Sequence, residues 1–330
     1  MSDDMSRSSQ PVETVQVAGW AGRIAVYARF IKLEHTLFSL PLIFSGALLA
    51  AHHWPRWDLA GLILLAAAGA RVVAMSLNRL TDAEIDARNP RTQRRELPRK
   101  VMRRGEAWAI ILVAAAIYSA SAAAVAPICF WLSPIPVVLF VIYPYLKRFT
   151  SLAHLGLGLA WSMAPLGGWL AISRSLERIH EVAWLWLFSV LWVAGFDIIY
   201  ATMDERFDRS EHLHSLPAAL GTGTALRVAM LLHAGAFASL IFLWRNQLNS
   251  SSNALPWLAA VGAFFIWQHT VAKQRPEFAF FQINGWLGFF VLLLVMSGVE
   301  SRSTTSESLL ARVTTSDRPQ ASATTALSGS

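Results

Sequence analysis

NRLTDAEIDARNPRTQRRELP, residues 78–98, follows without a break on LAGLILLAAAGARVVAMSL, residues 59–77. The upstream run is apolar and long enough to cross a bilayer as a helix, which takes roughly 17–25 residues. It ends in Asn78, Asp82 and Asp86, with a cluster of arginines just behind them. The spacing of these three polar residues is i, i+4, i+8. On a helix they share one face and drift only about 40° per step. A membrane span that ends in a row of metal-ligand-type side chains, backed by cations, is the feature the rest of the chain has to explain.

The composition agrees with a membrane protein. Hydrophobic residues make up 55% of the chain and charged residues 15%, whereas soluble chains carry about 25% charge. Apolar blocks of span length recur at 24–50, 58–79, 107–125, 127–145, 152–172, 182–203, 225–244, 254–271 and 280–299, which makes about nine spans by the length rule. The third and fourth are nearly continuous and part at Pro127. Strand-like alternation is missing, which excludes a membrane β-barrel. The expectation is an all-α integral membrane protein, about nine transmembrane helices around a central cavity. The expected organisation is a polar segment 1–22 without a signal-peptide core, a membrane domain 23–300, and a disordered Ser/Thr-rich tail 301–330.

The positive charge, +7 overall, is unevenly placed. Arginines and lysines crowd the loop after the second span. They recur after the fourth (Lys147, Arg148), the sixth (Arg206, Arg209) and the eighth (Lys273, Arg275). The positive-inside rule puts those loops and the N-terminus in the cytoplasm, as expected for a bacterial inner membrane. The basic balance is explained by topology and anionic headgroups, with the lipid bilayer as partner and no nucleic acid. The lone Cys129 forms no intrachain disulfide and reads as a packing residue.

A second acidic set lies in GFDIIYATMDERFD, residues 195–208: Asp197, Tyr200, Asp204 and Asp208. On a continuous helix Asp197 would lie almost above Asp204, nearly two turns away, with Tyr200 between them. Both sets sit at the cytoplasmic end of a span and precede a basic loop. They lie four expected spans apart, which suggests two related halves facing each other. Taken singly, such a set also reads as a solvated helix end with weak surface salt bridges. Two matched sets at one membrane depth point elsewhere, since carboxylates near lipid face a polar cavity and repel one another unless a cation sits between them. Carboxylates with waters and phosphate oxygens are Mg²⁺ ligands, and the adjacent Arg and Lys would hold the phosphates.

These motifs resemble those of the UbiA superfamily of intramembrane aromatic prenyltransferases. Its N-x-x-x-D-x-x-x-D signature is present as NRLTDAEID, and its D-x-x-Y-A-x-x-D-x-x-x-D signature as DIIYATMDERFD. YPYLKRFT, residues 143–150, matches a third feature. The resemblance implies a Mg²⁺ site at Asn78, Asp82, Asp204 and Asp208, with Asp86 assisting in metal or loop organisation. It implies diphosphate contacts from Tyr143, Lys147 and Tyr200, with Arg148 beside them, and it matches Arg91 and Arg95 to a basic RT-x-x-R loop. Asp197 matches a residue near the reacting carbon. Two positions depart from the pattern: Glu96 stands where Pro is frequent, and His212 where Gly is common. FIKLEHTLFSLP, NPRTQRRELP and KRFTSLAHLGLGLAWSMAPLGGWLA look most like the 4-hydroxybenzoate polyprenyltransferase-like branch, some members of which are assigned to menaquinone synthesis with a naphthoate acceptor.

The implied reaction is transfer of a polyprenyl group from polyprenyl diphosphate to an aromatic carboxylate in ubiquinone or menaquinone biosynthesis. Lys147 and nearby Arg, with Mg²⁺, would stabilise the departing diphosphate. The apolar, aromatic core would keep water from the allylic cation, and Asp197 or a water would take the ring proton. Arg71 lies seven residues before Asn78 on the same helix face. An arginine at that depth should face the cavity and meet an anion, which makes it a candidate for the acceptor's carboxylate, against a structural ion pair or carbonyl cap. Haem- or chlorophyll-type acceptors keep the fold, and a cation-coupled transporter is the reading from another class. His154 reads as packing or a local hydrogen bond, His52 and His53 as loop residues, and Trp54, Trp57, Trp184 and Trp186 as an interfacial belt.

Overall fold

The computed structural model describes residues 19–32 and 36–316, with side chains described for 19–32 and 39–300. Residues 1–18, the first part of the segment expected to be polar, and 317–330, the end of the expected tail, lie outside the described residues. Every regular element among the described residues is helical. Eight segments have the length and composition to cross a membrane, and a shorter apolar helix, Ser39–Ala51, accompanies them.

The first expected span is divided. Helix α1 (Gly19–Ile31) is separate from α2 (Thr36–Ala51). α1 buries Val26 and Phe30 while Trp20 and Ile24 stay exposed. Glu106 ties it down, accepting from Arg23 at 2.6 Å and from the Tyr27 hydroxyl at 2.9 Å.

Helix α3 (Trp57–Arg88) does not stop near residue 79 as its hydropathy suggested. It runs 32 residues, about 48 Å at 1.5 Å per residue, against a hydrocarbon layer of about 30 Å. Its polar last turns therefore project beyond the lipid and carry the first acidic set on one continuous face. α4 (Arg104–Val125) starts with the Glu106 carboxylate accepting from the Arg103 N–H at 2.7 Å. It ends at Ala126, where Pro127 opens α5 (Pro127–Leu132). Pro134 then starts α6 (Pro134–Leu146), so one expected span is made of two helices.

α7 (Ala153–Ser173) packs closely on α2. A Cβ on Gly168 or on Gly46 would collide with the backbone carbonyls of Ile43 or Pro165, so only glycine permits this approach. α8 (Ala183–Ala201) is the most buried span and carries Leu185, Phe188 and Trp192 into the largest core cluster. Its regular winding ends at Thr202, whose hydroxyl donates to the Ile199 carbonyl at 2.7 Å. A tighter turn, Thr202–Asp204, and the short α9 (Glu205–Ser210) follow. The second acidic set is thus divided among α8, the tighter turn and α9 and not carried on one regular helix.

The chain continues through α10 (Leu216–Leu220), α11 (Thr222–Gln247), α12 (Leu255–Val271) and α13 (Pro276–Phe278) to a π-helical turn, Ala279–Ile283, and α14 (Asn284–Ser316). α14 runs into the segment expected to be disordered. The π-turn opens the regular ladder, so its carbonyls need other donors. Gln268 donates to the Ala279 carbonyl at 2.9 Å and Asn284 to the Phe280 carbonyl at 2.9 Å. The Trp192 indole N–H donates to Asn284 at 2.8 Å, which ties α8, α12 and α14 together. Trp54 and Trp57 are exposed at the start of α3, whereas Trp184 stacks on Phe242 with ring centroids 4.7 Å apart.

Candidate active site

The two acidic sets meet across one polar cavity of about 300 Å³. α3 supplies Asn78, Asp82 and Asp86 from one wall, and α8 with its continuation supplies Asp197, Tyr200, Asp204 and Asp208 from the other. Arg91 and Arg95 enter from the loop after α3, Tyr143 and Lys147 from the end of α6. A second, apolar cavity of about 480 Å³ lies beside it, bounded by α2 to α7. Arg71, Met75, Tyr143, Leu157 and Trp161 line both, so the two spaces adjoin at Arg71.

Among the described residues, three direct ion pairs join acids and bases inside the polar cavity. The Lys147 ammonium donates to Asp82 at 2.6 Å and Arg95 to Asp86 at 2.7 Å. Arg91 grips both oxygens of Asp204, its Nε at 2.9 Å from Oδ1 and its Nη2 against Oδ2. It also donates to the Tyr200 hydroxyl at 2.5 Å. Burial works against the Arg91 charge, but the hydrogen bonds it donates to Asp204 and the proximity of Tyr200 outweigh it and hold the guanidinium above its usual pKa. Arg148 stands apart. Its Nη2 donates to the Thr81 carbonyl at 2.8 Å, and it is not among the residues lining the cavity.

The residues fit a divalent cation. Asp82 is buried, and its Oδ1 has no hydrogen-bond donor, which leaves a carboxylate oxygen with an open lone pair beside the cavity. Among the described residues no three His, Cys, Asp or Glu side chains close into a complete ligand set. Mg²⁺ binds in that way, through one or two carboxylates with waters and substrate phosphates completing its shell. Asp82, Asp86, Asp204 and Asp208, with Asn78, are the side chains placed to hold it. An entering diphosphate with its cation would add no net burden of one sign, since the cation would face the acids and the phosphates the bases.

Arg71 is enclosed among α3, α6 and α7, with its guanidinium 5.0 Å from the Trp161 ring centroid. Its Nε is buried without an acceptor, and among the described residues no carboxylate forms an ion pair with it. Arg79, whose Nε is likewise buried without an acceptor, differs in having a counter-ion: it lies against the Phe30 ring and pairs with Glu96. That bond gives Glu96 a role at the position where the resemblance favoured Pro. His212 has a left-handed φ of 54°, a conformation for which glycine is the usual residue.

Two further residues belong to the site. Asn89 donates to Asp204 Oδ1 at 2.9 Å. It continues the Asn78–Asp82–Asp86 face as i+11, a signal present in the sequence. His154 lines the cavity and lies 2.7 Å from Asp197.

Comparison with known proteins agrees with this geometry. The UbiA prenyltransferase family matches residues 39–296. A 4-hydroxybenzoate octaprenyltransferase of Coxiella burnetii (strain CbuK_Q154) is 27% identical over 271 residues, covering 81% of this chain and 90% of that one. The apo structure of a UbiA homolog from Aeropyrum pernix K1 superposes with a TM-score of 0.74 at 33% identity, over 82% of this chain and 98% of that one. A UbiA homolog from Archaeoglobus fulgidus, bound to GPP and Mg²⁺, shares the fold with a TM-score of 0.61 at 18% identity, over 83% and 98% of the two chains. A membrane bundle with facing acidic motifs, matched along most of its length, is no cation-coupled transporter: the chain belongs to the UbiA prenyltransferase family.

Proposed function

We propose that the protein transfers a polyprenyl group from polyprenyl diphosphate to a hydroxy-aromatic carboxylate, a quinone precursor of the 4-hydroxybenzoate class, with Mg²⁺ as cofactor. The observation that carries the acceptor class is Arg71, buried where the polar and apolar cavities adjoin, without an acidic partner among the described residues. A guanidinium in that position recognises a carboxylate. Similarity to 4-hydroxybenzoate octaprenyltransferases supports the same class. The charge distribution of the loops supports a cytoplasm-facing site in a bacterial inner membrane, and the facing acidic sets support two related halves.

In this reading the polar cavity takes the diphosphate and the apolar one the prenyl chain. Lys147, Arg91 and Arg95 turn from their carboxylates to the phosphate oxygens and stabilise the departing negative charge. Mg²⁺ held at the acids would supply Lewis-acid neutralisation of the same charge. Trp161, Phe196 and Phe280 line the neighbouring wall and exclude water while presenting aromatic faces to the allylic cation. Arg71 holds the acceptor's carboxylate so that its electron-rich ring carbon faces the cation. Asp197 takes the ring proton.

The test is purified protein in lipid nanodiscs with Mg²⁺, a polyprenyl diphosphate and a panel of aromatic rings with and without a carboxylate. Mass spectrometry should show a prenylated ring from the carboxylated members. A 4-hydroxybenzoate product and a naphthoate product separate the two quinone routes. Transfer indifferent to the carboxylate, or no transfer to any ring, would refute the assignment.

A further inference from the structure

His154 begins α7, is 5% exposed, and bridges two pieces of the site. Four residues on, Gly158 seats α7 directly against α8, with no room for a Cβ beside the Val190 carbonyl. That close approach brings the imidazole to Asp197, with Nδ1 2.7 Å from Oδ2. On its other edge the Leu216 backbone N–H donates to His154 Nε2 at 3.2 Å.

These two contacts assign the proton. A backbone N–H can only donate, so Nε2 accepts and carries no hydrogen. The ring's single proton then sits on Nδ1 and is donated to Asp197 Oδ2. His154 holds the carboxylate by Oδ2, and Asp197 is among the residues that line the cavity. A second group that fixes the rotamer and acceptor role of a base is a recurring arrangement in acid–base sites.

From this geometry, and resting on the prenyl transfer proposed above, we infer that His154 is the positioning residue for Asp197 as the base that restores the ring. In that step the C–H bond at the newly prenylated ring carbon breaks. Its electron pair returns to the ring, and the proton passes to Asp197 Oδ1. The C–O bond to diphosphate has already broken, and the new C–C bond has formed. His154 neither gains nor loses a proton. It keeps Asp197 turned so that Oδ1 meets the ring, and its link to Leu216 sets the imidazole itself by the loop that follows the second acidic motif.

The two edges of the imidazole can be separated by substitution. Asn places its amide N–H near the Nδ1 position and can still donate to Asp197. Gln places its amide oxygen near Nε2 and can still accept from Leu216. The measurements are kcat, KM for each substrate, and the isotope effect with an acceptor deuterated at the prenylated carbon. His154→Ala should lower kcat by roughly 10- to 100-fold, part of what a general base contributes. It should leave KM for the diphosphate unchanged and raise the isotope effect as C–H cleavage becomes limiting. His154→Asn should recover most of the rate and the wild-type isotope effect, whereas His154→Gln should not. Should His154→Ala fail to insert in the membrane, the Asn and Gln pair still decides. Equal or better recovery by Gln, or an isotope effect that does not move, overturns the role of His154 while wild-type turnover keeps the reaction itself. A wild-type protein that prenylates no ring overturns both.

Discussion

Arg91 spans the cavity mouth to Asp204: a guanidinium from the loop after α3 holds both oxygens of a carboxylate on the opposite wall. With Lys147–Asp82 and Arg95–Asp86 it forms a set of three internal bridges that engage Arg91, Arg95 and Lys147 with the acids. Substrate therefore enters by exchange, and acids and bases should be separable by their kinetic effects.

Removing an acid should stop chemistry and spare the fold. Asp82→Asn and Asp204→Asn keep the side-chain size but lose the charge that a cation needs. We expect kcat to fall by at least about 10²-fold, the order lost when one preorganised electrostatic contact at a reacting centre is removed. Normal membrane insertion and an unchanged unfolding temperature would accompany it. Near wild-type turnover in either variant would show that these carboxylates are only salt-bridge partners.

Arg71 should report on one substrate alone. Arg71→Ala is expected to raise the acceptor KM by about 10- to 100-fold, the equivalent of one charge-assisted hydrogen bond at 1.5–3 kcal/mol. The diphosphate KM should stay put. Arg71→Lys should recover only part of the loss, because a point charge replaces a planar fork. Equal effects on both substrates would make Arg71 a structural residue.

Glu96 should matter for stability. It neutralises Arg79, which is buried in the lower half of α3. Glu96→Gln leaves that charge without its counter-ion, and breaking a buried pair costs about 3 kcal/mol or more. A clear fall in the unfolding temperature is expected. It should be relieved in a double variant that also replaces Arg79 by Met. An unshifted temperature would mean that Arg79 finds compensation elsewhere.

His212→Gly should act in the opposite direction. A left-handed φ costs an L-residue roughly 1–2 kcal/mol, part of which is returned because glycine is freer in the unfolded chain. A small rise in the unfolding temperature with unaltered kcat is expected. A fall would show that the imidazole makes a contact worth more than the backbone relief.

Much of the site could be read from residue spacing, and the reasons for the rest are local. Asn78, Asp82 and Asp86 were legible because α3 keeps its winding past the lipid boundary, so periodicity remained a guide to direction. That Asp197 and Asp204 lie on different elements was not legible. Thr202 diverts the backbone into a tighter turn there, and hydropathy carries no mark of it. The division between α1 and α2 was hidden because both halves are apolar enough to pass as one span. Arg148 was grouped with Lys147 by adjacency alone, and the end of α6 turns the two to different surroundings. His154 could be placed near the basic motif, but its partner is 43 positions away, on a helix whose packing depends on Gly158. Pairings across a bundle arise from such close approaches, which no local pattern encodes.

The π-turn at Ala279–Ile283 also has a bearing on length. A π-turn takes up one residue more than the same stretch of α-helix, and the wider winding absorbs it locally. Loss of a single residue within Ala279–Ile283 would let the turn close to regular α-helix, so Leu287, Val291, Leu294 and Val295, all fully buried, would keep their direction toward the core. The same loss after Asn284 would swing every later side chain by about 100° around the axis. The last membrane helix should consequently tolerate a one-residue deletion at the π-turn and at no point further along.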